Sequence, residues 1–297
     1  MALWLNRYRA GDRAQVWTEI VGLGPDLRDD EVNLAEADAV AHETMERVRA
    51  NIESLIEILP AFGYQFAPAP GTVVYRPPET DVGEHLSHLE EVVGVLPLAL
   101  RAWYEVVGEV SLIGQHPAWD YEYTDALVVQ APIEYVLAGH EQWEAERVSG
   151  WDRGAFTIDL SPDYLHKANV SGGPPYSMSV PNEAADGIVL WERHQTTFVN
   201  YLRICFRWAG LPGWDRGALD GWASPSSPPP VELAEVAQSL LPIRPGRHNH
   251  LSARIPRVTA NRDGTRRWRR IVPLQVDRRV RRSLLTLMVG PLGTPCR

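Results

Sequence analysis

Lysine is almost missing from this chain: of 29 basic residues in 297, only Lys167 is a lysine. That bias points to a GC-rich coding sequence and carries no mechanism. Cysteine is nearly as scarce. Cys205 and Cys296 stand far apart, which is no disulfide framework, so a reducing, cytoplasmic setting is expected. No apolar run approaches the roughly 18 residues of a membrane-spanning helix. The first residues, Met1 to Arg9, lack the apolar core of a secretory leader, so none is expected. Reactive signatures are missing as well. There is no Gly-x-Ser-x-Gly, no paired cysteine and histidine, and no His-Glu-x-x-His. Ser171-Gly172-Gly173-Pro174-Pro175-Tyr176 is glycine-rich but lacks the lysine and following helix of a phosphate-cradling loop. His85 and His88 lie three apart on a helix pattern, with His42 and His116 elsewhere. Zinc requires three or four ligands in tetrahedral geometry, and no cysteine or aspartate spacing completes that set. No metal, no cofactor and no enzymatic activity are expected.

What is present describes a folded chain. Apolar residues make up 44% and charged residues 23%, which is globular composition, at a length that suits one large domain with appendages. The net charge of −9 conceals two opposite parts. Residues 244–297 carry 14 arginines against Asp263 and Asp277, a net of +12. Residues 1–243 hold 15 basic and 36 acidic groups, a net of −21. An acidic body repels nucleic acid and anionic membranes, whereas a basic tail attracts both.

Periodicity places the elements. Trp4, Leu5 and Tyr8, then Val16, Trp17 and Ile20, predict short helices broken near Gly11-Asp12. Leu34, Ala37, Ala41, Met45, Val48, Ile52, Leu55 and Leu59 recur at three- and four-residue steps, so a long amphipathic helix is expected from about Glu31 to Leu59. After the breakers Pro68, Pro70, Gly71, Pro77 and Pro78, a helix from Asp81 should close at Gly94, and another should follow Pro97. Strands are predicted at Val73–Tyr75, Val110–Ile113, Leu127–Val129, Phe156–Leu160, Tyr176–Val180 and Ile188–Trp191. The stretch Asp186–Trp214 organises the rest as strand, turn and amphipathic helix. Thr196 or Thr197 is expected to cap that helix, Gly210 and Pro212 to end it, and its tryptophans and phenylalanines to lie in the core. The fold class is α+β: an antiparallel β-sheet with helices packed on one face, preceded by a helical N-terminal region. The expected boundaries are a helical region over 1–66, the α+β domain over 81–222, and a Pro/Ser linker with a basic, disordered tail over 223–297.

The order helix, Leu96-Pro97, helix, Trp103-Tyr104, glycine and strand resembles the start of the SUKH superfamily, which groups bacterial immunity proteins with yeast cell-wall assembly regulators. Asp159-Leu160-Ser161-Pro162-Asp163 and Asp186-Gly187-Ile188-Val189-Leu190-Trp191, with Thr197-Phe198 and Tyr201-Leu202, are similar to its later strands and final helix. The resemblance covers about Asp81–Gly213. It implies a non-enzymatic α+β domain that binds a protein partner, in bacteria a toxin, which the acidic body would suit if that toxin were basic.

Two loops are left to recognise a partner. The first is Gly114–Thr124, and its stretch His116–Asp125 gathers His116, Trp119, Asp120, Tyr121, Glu122, Tyr123 and Asp125. Exposed aromatics are typical binding anchors, but the same aromatics can fold back onto the core, and both readings stand. Asp120 and Asp125 could serve as acid and base, though no nucleophile accompanies them. The second, His166–Pro175, offers His166, Lys167 and Asn169 as a rim together with Tyr176. In the tail, Arg266–Arg270 and Arg278–Arg282 are basic clusters with one aromatic. They read as a nucleic-acid arm, as a disordered screen for the acidic body, or as an out-of-frame extension.

Overall fold

Each long apolar stripe in the sequence becomes a helix with one buried face. The structure, a computed structural model, describes residues 4–67, 73–120, 122–150, 154–170, 172–217 and 222–243; the basic tail and Tyr121 lie outside them. Helices α1 (Trp4–Ala10) and α2 (Arg13–Gly22) are separated at Gly11, and a 3-10 turn at Gly24–Asp29 leads into α3 (Glu31–Ala61). Asp30 starts α3 by accepting hydrogen bonds from the Val32 and Asn33 amides at 3.0 and 3.1 Å, donors that no helical carbonyl can reach. Ala37, Ala41, Met45, Val48, Ile52, Leu55 and Leu59 are fully buried along it.

Beyond α3 come β1 (Gln65–Phe66), β2 (Tyr75–Arg76), α4 (Val82–Val93) and α5 (Leu98–Val106). Gly94 ends α4 at φ 84°, where a Cβ would meet Pro181, and Pro97 sits just before α5. The next elements are β3 (Glu109–Ser111), β4 (Gly114–Gln115), β5 (Val128–Val129) and α6 (Ile133–Val148). They are followed by β6 (Thr157–Ser161), α7 (Tyr164–Lys167), β7 (Tyr176–Ser179), α8 (Phe198–Arg207), a 3-10 turn at Pro212–Trp214, and α9 (Val231–Ser239). Strands pair antiparallel as β1–β4, β2–β3–β5 and β6–β7, with Val110 between Tyr75 and Val129 and Ile158 opposite Met178. The architecture is α+β, small antiparallel sheets with helices packed against them.

Helix α3 lies along α5, and α8 also packs on α5. Trp103 meets the Phe198 ring edge-on at 5.4 Å between centroids. Burying side chains of this size stabilises the fold by about 1.5–3 kcal/mol each. Leu233, Val236, Leu240 and Ile243 from α9 and its exit join the same core, against α3 and α8. No helix among the described residues is long and apolar enough to cross a membrane.

Four features depart from the sequence reading. Helix α6 is not among the predicted elements; it lays Ile133, Val136, Leu137 and Trp143, a mostly half-buried face at helical spacing, against the core. Residues 188–191 form isolated bridges, Ser177 with Leu190 and Ile188 with Thr197, instead of a regular strand. Val189 turns inward and Ile188 is 45% exposed, and the left-handed φ of 63° at Trp191 breaks the alternation and leaves that side chain 59% exposed, so Trp191 is not a core residue. Thr197 stands before α8 without a side-chain capping bond; Asp186 takes that part, its Oδ1 accepting from the Val199 amide at 3.0 Å.

Candidate functional site

The end of α8 fixes the first loop. The Gly213 amide donates to the Thr124 carbonyl at 2.7 Å, and the Leu127 amide donates to the Gly210 carbonyl at 2.7 Å. Only glycine allows this approach: a Cβ at Gly213 would lie 2.0 Å from the Tyr123 carbonyl oxygen. Asp163 fixes the second loop. Its Oδ1 accepts from the Leu165 amide at 2.7 Å and the His166 amide at 3.2 Å, and its Oδ2 lies 2.5 Å from His166 Nδ1. This one carboxylate starts α7, and the helix then delivers Lys167 at its last position.

The two loops meet there. Lys167 Nζ donates to Asp125 Oδ1 at 2.8 Å, and the Tyr176 hydroxyl donates to Asp125 Oδ2 at 2.9 Å. The ammonium also lies 4.6 Å from the Tyr176 ring centroid, a distance at which a cation is attracted to the ring face. The Lys167 and Asp125 side chains are 2% and 0% exposed. A buried ion pair of this kind recovers its desolvation cost only when its remaining polar atoms are satisfied, and Tyr176 satisfies the second carboxylate oxygen. Burial first, and then the Asp125 charge, push the Tyr176 phenol well above its usual range, so it stays a donor. Burial likewise pushes the Cys205 thiol up, which leaves it an inert core side chain.

In front of this pair is a cavity of about 160 Å³, shared by the first loop, the second loop and the β1–β4 edge. Ala67, Ile113, Gly114 and Gln115 contribute from the edge, Tyr123 through Ala126 from the first loop, and Lys167 through Asn169 from the second. Six described residues other than glycine have positive φ, and three of them line this cavity: Tyr123 at 59°, Asp125 at 51° and Asn169 at 59°. Aspartate and asparagine tolerate left-handed backbone; at Tyr123 it is costly, and such strain gathers at binding and catalytic sites.

The remaining predicted residues divide. His116 folds back: its Nε2 donates to the Phe62 carbonyl at 2.7 Å while its Nδ1 accepts from the Ala118 amide at 3.1 Å. Trp119 stacks on His116 at 4.1 Å and is partly buried beside Tyr64. Asp120 does not line the cavity and holds the segment after Trp222, its Oδ2 accepting from the Ser226 amide and hydroxyl, both at 2.6 Å, and from the Ser227 amide at 3.3 Å. These bonds, the Ser226 hydroxyl first, hold the Asp120 carboxyl below its usual range. Asp120 and Asp125 thus have separate structural partners and do not form an acid–base pair. Glu122 is exposed. His166 stands on the exposed side of α7, bonded to Asp163.

Sequence reasoning had no route to Ala67, Thr124 or Gly213, which act through backbone position. It had a partial route to one other group. Glu79, Asp81 and His85 bring two carboxylates and an imidazole within 4.8 Å of one another, with Asp81 and His85 one helical turn apart. All three are exposed, and no fourth ligand joins them among the described residues, which is short of a closed tetrahedral zinc set. No protein-family model matches the chain, and neither a curated protein nor a solved structure does.

Proposed function

We propose that this chain is a non-enzymatic protein-binding domain of the SUKH type, a cytoplasmic immunity protein that neutralises a toxin by binding it directly. The observation that supports this reading is the meeting of the Gly114–Asp125 and His166–Pro175 loops around one cavity, locked from behind by the Asp125–Lys167–Tyr176 bonds. Rigid loops on a packed scaffold are what recognition requires. The net charge of −21 over residues 1–243 suits a basic partner such as a nuclease, with association that slows as salt rises.

The direct experiment is co-expression with each product of the neighbouring genes, scored by rescue from toxicity and by pull-down. Rescue together with a stable complex is expected for one of them; no rescue and no complex with any would defeat the immunity reading. The rival is a nucleic-acid-associated protein that works through its arginine-rich residues 244–297. RNA or DNA binding that vanishes when those residues are removed would favour the rival, and binding that persists without them would contradict it.

A further inference from the structure

We propose that the cavity between the two loops is an anchor pocket for one six-membered aromatic side chain, phenylalanine or tyrosine, presented by a basic protein surface; this rests on the protein-binding reading above. Volume comes first. At about 160 Å³ the space is close to the roughly 150 Å³ apolar cavity known to take up benzene. Ala67, Ile113, Ala126 and Ala168 give it small or aliphatic lining on which a flat ring can pack, beside the polar Gln115, Thr124 and Asn169. Ala67 and Asn169 are exposed at the rim, which gives a ring a way in from solvent.

Charge removes the ionic anchors. A guanidinium entering here would find no open carboxylate, because Asp125 is fully buried with one oxygen on Lys167 and the other on Tyr176. Burying a cation without a partner is costly. A carboxylate would meet an ammonium already neutralised by Asp125, on a body whose net charge repels it. An aromatic ring needs neither partner and gains from desolvation, which is why such rings dominate interface energetics. The buried Asp125–Lys167–Tyr176 bonds behind the pocket fix its back wall before the partner arrives, which keeps ordering costs low.

The test uses the full chain and isolated side-chain probes: p-cresol, toluene, methylguanidinium and acetate, titrated while backbone amide NMR shifts are followed. Saturable binding of p-cresol or toluene is expected, with shifts confined to residues around Ile113–Gln115, Tyr123–Ala126 and Lys167–Asn169, and no saturable shifts from the two ions. Ala67→Trp at the rim and, separately, Ala168→Phe should each weaken ring binding by about tenfold, a loss near 1.4 kcal/mol, with unchanged circular dichroism. The proposal is overturned if neither ring probe saturates, if methylguanidinium binds better, or if both plugged variants bind the rings as before. Comparison of p-cresol with toluene separates a tyrosine anchor from a phenylalanine. If the rings bind but no protein partner is ever captured, the pocket stands and the protein-binding reading falls. If a partner is captured and Ala67→Trp leaves its Kd unchanged, the pocket falls and the reading stands.

Discussion

Lys167 Nζ and Asp125 Oδ1 lie 2.8 Å apart with both side chains out of solvent, and they join segments 42 residues apart in sequence. Removing one charge strands the other. Lys167→Met is expected to cost about 3–5 kcal/mol, the usual penalty for breaking a buried pair. Asp125→Asn on top of it should recover part of that loss, since asparagine tolerates the left-handed backbone and still accepts from Tyr176. Urea unfolding of both single variants and the double variant measures the coupling; additive losses would show that the pair contributes nothing of its own.

His42 bridges α3 and α5, with Nε2 2.9 Å from Glu105 and Nδ1 3.4 Å from Asp38. Asp38 first, then Glu105, raise its pKa to about 10 against the effect of burial. A histidine that holds its proton more tightly when folded adds stability fully below its unfolded value, near 6.5, and loses it as pH climbs towards 10. Thermal unfolding of the native chain should therefore weaken between pH 6.5 and 10, and His42→Gln should flatten that part of the curve. Identical profiles would remove His42 from the account.

Asp186 presents the opposite case. Burial pushes its carboxyl up to about 6, opposed by the Thr197 side chain and the Val199 amide. The folded state then holds the proton more tightly than the unfolded one. This group's contribution is greatest below the unfolded aspartate value and declines as pH rises through 6. Asp186→Asn keeps an acceptor for Val199 without the charge, so it should gain on the native chain from pH 4 to pH 7. Asp186→Ala loses the cap and should cost about 0.5–2 kcal/mol at pH 4. Denaturation midpoints at the two pH values decide it.

Gly213→Ala should move the first loop while leaving most of the core in place. The added methyl would sit 2.0 Å from the Tyr123 carbonyl, so the loop must shift or the 3-10 turn must open. A destabilisation of about 1–3 kcal/mol is expected, with amide shifts centred on Tyr123–Ala126. A variant as stable as the parent would mean that the contact is not tight.

Much of the scaffold is written in local pattern. The stripe from Ala37 to Leu59 announces α3, and Phe198, Leu202 and Phe206 announce α8, because both elements bury one face and wet the other. Helix α6 lays Ile133, Val136, Leu137 and Trp143 on the core at helical spacing, but only Val136 is buried outright, so its stripe is short and faint. The site was legible by loop but not by role. Composition singled out Asp120 and Asp125 alike, yet one ties down a chain segment and the other seats a lysine. Those roles depend on Ser226 and Lys167 arriving from far along the chain. Trp191 misled for a related reason: apolar character sets a preference for the interior, and backbone direction decides whether the side chain can reach it.

The exit from α9 carries a practical consequence. Asn51 clasps Leu241 from both sides, donating to its carbonyl at 2.9 Å and accepting from its amide at 2.6 Å. Arg203 donates to the Ile243 carbonyl at 2.8 Å. A truncation that stops near residue 222 would therefore strip Leu233, Val236, Leu240 and Ile243 from the interior and leave Asn51 and Arg203 without those partners. One that stops after Ile243 keeps the described contacts of α9 and removes the whole +12 block, so residue 243 is the place to cut when the two parts are assayed apart.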